Sequence, residues 1–238
     1  MPPAAWRAPL AAAEQAPVLF TWSGGKDSAL ALYELLSSGV RVAALLTTVT
    51  ADYGRVSMHG VRAALLERQA AAVGLPLDVV YIPKGATNSQ YQAAMHERLC
   101  HYQAQGVAVV AFGDIFLEDV RRYREENLKR VGLEALFPLW GRDTWELARR
   151  FVALGFRARL TCVDTRVLPA QLAGRQFDER LLRELPAGVD PCGENGEFHS
   201  FVYGGPLFGR PIACRRGEVV LREERFAFCD LVPDTEVP

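Results

Sequence analysis

An apolar run, Val18-Leu19-Phe20-Thr21-Trp22, leads straight into Ser23-Gly24-Gly25-Lys26-Asp27-Ser28 and then into Ala29-Leu30-Ala31-Leu32-Tyr33-Glu34-Leu35-Leu36. The first run reads as a buried strand and the last as the opening of a helix. Two glycines between strand and helix let successive backbone N–H groups turn inward as an anion-binding nest. The helix N-terminus adds its partial positive charge. Ser23 and Ser28 add hydroxyl donors, Lys26 a full positive charge, and Asp27 a carboxylate able to hold Mg²⁺. The segment is built for phosphate.

Two familiar phosphate loops are excluded by residue identity. Walker A needs a glycine where Phe20 stands and Ser or Thr where Asp27 follows Lys26. The dinucleotide fingerprint fails because Gly24 and Gly25 are adjacent and no third glycine follows closely. Ser-Gly-Gly-Lys-Asp-Ser instead resembles the PP-loop of N-type ATP pyrophosphatases, which cleave ATP between the α and β phosphates.

Apolar strands then alternate with helical patterns. Val40 to Val49, Leu77 to Ile82 and Val107 to Phe112 read as strands. Met58, Val61, Leu65 and Ala72 share one helical face ending at Gly74, and Tyr91 to Gln105 is helical. Phe116, Val120 and Tyr123 form the inner stripe of another helix, whose charged run from Glu118 through Glu126 reads as a solvated face. This rhythm predicts a parallel α/β/α sheet with right-handed crossovers, binding its ligand at the C-terminal strand ends. Near Pro138 the rhythm stops. Asp143 can cap a helix containing Trp145 to Leu154, Phe156 to Val163 reads as a strand, and the rest is turn-rich, with a short helix around Glu179 to Glu184 and short strands at Val219 to Leu221 and Arg225 to Val232. The expected organisation is a flexible segment over 1–17, a PP-loop domain over 18–138 and a smaller C-terminal α+β domain over 139–238.

The loops after the other strands hold the remaining candidates. Thr47, Thr48, Asp52 and Ser57-Met58-His59-Gly60 follow the second strand, where Thr47 and His59 would lie over adenine and ribose, or Ser57 would simply cap a helix. Lys84 to Asn88 reads as a turn plus a cap. Gly113-Asp114 puts a carboxylate at the end of the fourth strand beside a glycine that permits close approach, so Asp114 is a candidate for Mg²⁺ or for capping the next helix.

A second chemistry-bearing stretch is Asp190-Pro191-Cys192-Gly193-Glu194-Asn195-Gly196-Glu197-Phe198-His199-Ser200. By local rules Asn195-Gly196 is a tight hairpin turn. It also crowds Glu194, Glu197 and His199 within six residues, a cluster able to bind an amine, orient a nucleophile or accept protons. Cys192 could be a nucleophile, although no activating base is identifiable. The five cysteines are odd in number and contain no C-x-x-C pair, which points away from a zinc knuckle, a disulfide framework or a thiolating RNA enzyme. A net charge of −1 argues against a broad nucleic-acid surface. No apolar run approaches the ~20 residues that span a bilayer, so a cytoplasmic protein without membrane contact is expected.

Ser23-Gly24-Gly25-Lys26-Asp27-Ser28, Gly113-Asp114-Ile115, Phe137-Pro138-Leu139-Trp140 and Gly193-Glu194-Asn195-Gly196-Glu197-Phe198-His199 occur in one order. Together they resemble the diphthine–ammonia ligase family of N-type ATP pyrophosphatases, over about residues 18 to 208. The resemblance implies ATP and Mg²⁺ as cofactors, with Ser23, Gly24, Gly25, Lys26, Asp27, Ser28, Thr47, His59, Gly113 and Asp114 around the nucleotide and Asp27 and Asp114 at the metal. It implies adenylation of a small-molecule or protein carboxylate, loss of pyrophosphate, and transfer of ammonia, with Lys26, Asp27, Glu194, Glu197 and His199 catalytic. Glu194 and Glu197 would hold ammonium and His199 would accept a proton. A homodimer is compatible with it. In one respect the chain departs from the archaeal and eukaryotic members: Ser57-Met58-His59-Gly60-Val61 lacks their Pro-Asn, which resembles a bacterial branch and leaves the acceptor open. The alternatives are a nucleotide sensor without turnover and a PP-loop enzyme that modifies RNA.

Overall fold

The computed structural model describes residues 12, 13, 15–56 and 59–234. Its first sheet is built from β1 (Val18–Thr21), β2 (Val42–Thr50), β3 (Arg55–Val56), β4 (Leu77–Ile82), β5 (Val109–Ala111) and β6 (Glu134–Leu136). The parallel strands run β4-β2-β1-β5-β6, and the short β3 adds antiparallel to the end of β2. The crossovers are α1 (Lys26–Ser37), α2 (Ala63–Val73), α3 (Asn88–Ala104) and α4 (Glu118–Lys129). Between β1 and β5 the strand order reverses, and the Ser23–Ser28 loop leaves β1 at that switch point.

Because strand side chains alternate, β1 feeds two cores. Val18 and Phe20 point to one face with Leu30, Leu32 and Leu35 of α1 and Leu65 and Leu66 of α2. Leu19 points to the other with Leu99 and Tyr102 of α3 and Leu128 of α4. Both faces of the sheet are therefore covered, as an all-parallel sheet requires.

The smaller C-terminal domain contains α5 (Thr144–Ala153), β7 (Arg157–Asp164), β8 (Gln176–Phe177), α6 (Glu179–Glu184), β9 (Phe198–Gly204), β10 (Cys214–Arg222) and β11 (Phe226–Pro233). Its antiparallel sheet is organised on β7, which pairs with β8, β9 and β11. Asp143 caps α5 through the Glu146 N–H (2.8 Å), as its position predicts. Phe151, Phe177, Phe198 and Phe201 join the same buried cluster as Phe20 and Leu30, so the C-terminal domain is packed onto the first sheet through one continuous core.

The structure departs from expectation in three places. The stretch after Asn195-Gly196 is a seven-residue strand, β9, buried against β7. β6 adds a strand of three residues, too short to carry a period. The α4 charge run is not wholly solvated, since Arg121 lies over the rings of Phe137 and Trp140, and Arg124 over Phe112. Most of segment 1–17, together with Ser57 and Met58, lies outside the described residues; Ala13 is packed into the core. No helix among the described residues is long and apolar enough to cross a membrane.

Candidate active site

A cleft of about 560 Å³ opens at the switch point. Its walls come from the Ser23–Ser28 loop, Thr47 of β2, His59, Gly113 and Asp114 after β5, and Cys192, Glu194 and His199 of the C-terminal domain. Residues more than 170 positions apart are thus brought together around one turn.

Backbone space decides the turn. Gly24 adopts φ +76°, and a Cβ there would stand 2.6 Å from Gln69 Oε1. A Cβ on Gly113 would stand 2.9 Å from the Ser28 nitrogen, so only glycine lets β5 end against the start of α1. The Ser23 hydroxyl accepts from the Gly25 N–H (3.2 Å), and the Ser28 hydroxyl accepts from the Ser23 N–H (3.3 Å). The fully buried Gln69 completes the support: its Nε2 donates to the carbonyls of Gly24 (3.0 Å) and Val202 (2.6 Å), and its Oε1 accepts from Trp22 Nε1 (3.0 Å). One amide side chain ties β1, the loop and β9.

Lys26 does something the sequence did not foretell. Its ammonium is 4% exposed, donates to Asp27 Oδ2 (2.6 Å) and to the Cys192 carbonyl, and faces the rings of Phe198 and Phe177. Its backbone N–H donates to the Ser200 hydroxyl (3.1 Å). The loop lysine is therefore the latch on which the C-terminal domain closes. Burial pulls its pKa down, but Asp27 and the further negative charge nearby outweigh burial and hold it above the ordinary lysine value. Burial pushes Asp27 up more than Lys26 pulls it down, with Asp190 adding to the push. Two upward shifts are not the signature of an isolated ion pair. They fit a cluster in which the carboxylates of Asp27, Asp190 and Glu194 outnumber one ammonium.

Glu194 is the carboxyl of this group that titrates nearest neutrality. Burial, then Asp27, push its carboxyl up to about 7, although Oε1 accepts from the Ile115 N–H (2.7 Å). Glu197, expected to act on ammonia, is instead turned into its own loop. Its Oε1 accepts from the Asp190 N–H (3.1 Å) and Asn195 Nδ2 (3.0 Å), its Oε2 is buried, and it does not line the cleft.

His59 and His199 stack with ring centroids 4.5 Å apart, beside Gly25. Burial and the facing His199 pull His59 down to about 3; burial and Lys26 pull His199 down to about 4. Both imidazoles are neutral at neutral pH. The Nδ1 of His59 and the hydroxyl of Thr47 are buried without a protein partner, both in residues that line the cleft. His59 is held from the far side of the molecule: Arg55 donates to the Gly60 carbonyl (2.7 Å), and Asp230 of β11 accepts from Arg55 (2.8 Å) and from Arg62 Nε (3.1 Å) and Nη2 (2.6 Å).

Asp114 is committed to Arg124, which meets it with Nη2 at 3.0 Å and Nε at 2.7 Å. Asp27 gives Lys26 only Oδ2, which leaves Oδ1 outside that ion pair for a Mg²⁺, whereas both oxygens of Asp114 meet Arg124. Among the described residues no three His, Cys, Asp or Glu side chains converge as a metal cage. Mg²⁺ bound through phosphates needs only one or two protein carboxylates, and the surplus of acids over Lys26 favours a further cation. Cys192 is buried, donates to the Thr144 carbonyl (3.4 Å) and has its thiol pKa driven up by burial, which disqualifies it as a thiolate nucleophile at neutral pH.

Sequence reasoning missed Gln69, Arg124, Ser200 and Asp230. Each acts across a sequence distance that no local pattern records; Gln69 alone gave a hint, as a polar residue among apolar helix positions.

Family models agree with this architecture. Residues 16–135 match the diphthamide synthase N-terminal domain and 143–231 the diphthamide synthase C-terminal domain. A zebrafish (Danio rerio) protein named diphthine–ammonia ligase is 30% identical over 227 residues, covering 85% of this chain and 88% of that one. The human (Homo sapiens) protein of the same name is 27% identical, covering 84% and 83%. The one from Schizosaccharomyces pombe is 28% identical and covers 85% of this chain but 37% of its own length. With both domain models matched in order and a 30% identical relative covered almost throughout, the chain belongs to the diphthamide synthase family.

Proposed function

We propose that the protein is an ATP-dependent amide-forming ligase of the diphthine–ammonia ligase type. One carboxylate oxygen of the acceptor bonds to the α-phosphorus as the bond to the β-phosphate breaks, and pyrophosphate leaves with that electron pair. Ammonia then attacks the acyl carbon, the acyl–oxygen bond to AMP breaks, and one proton is lost, giving the amide and AMP.

The observation that carries this reading is the seating of the acidic Asp190–Glu194 loop on Lys26 of the phosphate loop, which puts Glu194 in the nucleotide cleft. The N–H groups of Ser23, Gly25 and Lys26 donate to the hydroxyls of Ser28, Ser23 and Ser200 rather than forming an open nest, so phosphate would be met by the Ser23 hydroxyl and the start of α1, where negative charge develops as pyrophosphate departs. Asp27 would hold Mg²⁺, which supplies charge neutralisation at the leaving phosphates. Thr47 and His59 offer buried, unmatched polar atoms to the nucleoside. Glu194, with its pKa near neutrality, is suited to hold ammonium and to take the proton that amidation releases. Lys26 acts by fastening the domains, and residues 18–138 and 139–238 work as one unit around it.

The test is product analysis. Mg²⁺-ATP, ammonium and a diphthine-bearing protein are expected to yield AMP, pyrophosphate and amide in equal amounts. ADP and phosphate as products, or tight ATP binding with no turnover, would replace the ligase reading by an ATPase or a sensor.

A further inference from the structure

Beside the nucleotide cleft lies a second cavity, of about 420 Å³, between α3 and α4. Neither the phosphate loop nor the acidic loop reaches it. Its floor is apolar, made by Met95 and Leu99 of α3, Val110 and Phe112 at β5, and Leu128 of α4. The cavity adjoins the cleft, and the two share Thr21, Tyr91, Met95, Phe112 and Arg124 as walls. Of these shared side chains Arg124 carries the charge.

Arg124 stands at the junction, its guanidinium 4.5 Å from the Phe112 ring centre, its Nη2 donating to Asp114 Oδ1 (3.0 Å) and its Nε 2.7 Å from Oδ2 as an ion pair. A guanidinium fork lying on an aromatic face is a geometry that selects carboxylates, and it already grips one. In the ligase reading, on which this inference rests, the acceptor must deliver a carboxylate beside the α-phosphate while its body lies outside the nucleotide's space. The cavity is large enough for one amino-acid-sized side chain.

We propose that the cavity between α3 and α4 is the acceptor site, taking an organic acid with an aromatic or aliphatic body, and that Arg124 receives its carboxylate in exchange for Asp114. The acid's oxygen is then presented to the α-phosphorus from the β5 side, opposite the acidic loop that would bring ammonia.

The experiment uses hydroxylamine trapping of the acyl-adenylate, with phenylpropionate, imidazolepropionate and a diphthine-bearing protein as acceptor probes. Three proteins are compared: wild type, Arg124→Gln, and Asn127→Trp, which fills the cavity from a residue that does not line the cleft. ATP affinity and melting temperature are measured on each as controls for folding. For an acceptor the wild type adenylates, Asn127→Trp is expected to raise its KM about tenfold or more with ATP affinity unchanged. Arg124→Gln is expected to lower kcat/KM about tenfold to a hundredfold, the worth of a charged hydrogen-bonding partner. Wild-type turnover with an unchanged acceptor KM in a folded Asn127→Trp overturns the cavity assignment and leaves the ligase reading standing. Absence of turnover with every probe in the wild type, despite ATP binding, overturns the ligase reading and this inference with it.

Discussion

Replacing Lys26 by Met tests the latch directly. The substitution keeps the apolar stem against Phe177 and Phe198 but removes the ammonium from Asp27 and from the Cys192 carbonyl. Removing one member of a buried pair costs about 3–5 kcal/mol, because the other charge is left without a partner. Here the Asp27 side chain retains 25% of its exposure, so water recovers part of the loss and the lower end applies, about 3 kcal/mol. For a chain of this size that is a fall in Tm of roughly 6–12 °C. The companion variant Lys26→Met/Asp27→Asn removes both charges. If the two act as a pair, it is less destabilised than the single change by about 2 kcal/mol, a coupling that independent sites would not show. The measurement is thermal unfolding at neutral pH, alongside ATP affinity by calorimetry. A single variant that melts within about 2 °C of wild type while losing ATP affinity would refute the latch and return Lys26 to the phosphates.

Two further outcomes follow from the charges of the site. The His59–His199 pair refuses protons that the unfolded chain accepts below about 6.5, so its contribution to stability is lost as pH falls from there toward about 4. Glu194 acts in the opposite sense: the folded state keeps its proton up to about 7 against an unfolded value of 4.5, so its contribution is lost as pH rises through that window. Glu194 and the likewise raised Asp27 oppose the two imidazoles, so the double variant His59→Gln/His199→Gln should remove the part of stability that falls toward acid and leave the carboxyl part, which rises toward acid; urea unfolding across the window decides, and an unaltered slope refutes the assignment. Glu197→Gln keeps an oxygen to accept from Asp190 and Asn195, so ATP affinity and amidation should stay within about threefold, whereas Glu197→Ala loses two hydrogen bonds and about 2 kcal/mol in unfolding experiments. Loss of amidation in a stable Glu197→Gln would restore it to the reacting groups.

What the sequence made legible was local chemistry. The strand–loop–helix around Ser23–Ser28, the strand Leu77–Ile82, the Asp143-capped α5 and the short α6 each announce themselves through a run of fewer than twenty residues. β9 is hard to read because Phe198 to Gly204 sits in a turn-rich part of the chain, next to the strong turn signal of Asn195-Gly196. The solvated-face reading of α4 failed at Arg121 and Arg124, because a charge run reports composition and not which members face a neighbouring aromatic. The division of labour within the acidic loop was equally hidden. Glu194 and Glu197 are alike in sequence, and only the fold turns one toward Ile115 and the other toward Asn195.

Gln69 carries a consequence for how such a protein comes into being. Its carboxamide is satisfied only when Trp22, Gly24 and Val202 are all in place, and Lys26 waits on Cys192 and Ser200 in the same way. During synthesis the phosphate loop is written early, yet its last supports emerge from the ribosome some 170 residues later. A half-made or truncated chain therefore displays the loop's sequence without its finished geometry. The loop's finished geometry arrives only with the C-terminal residues that support it.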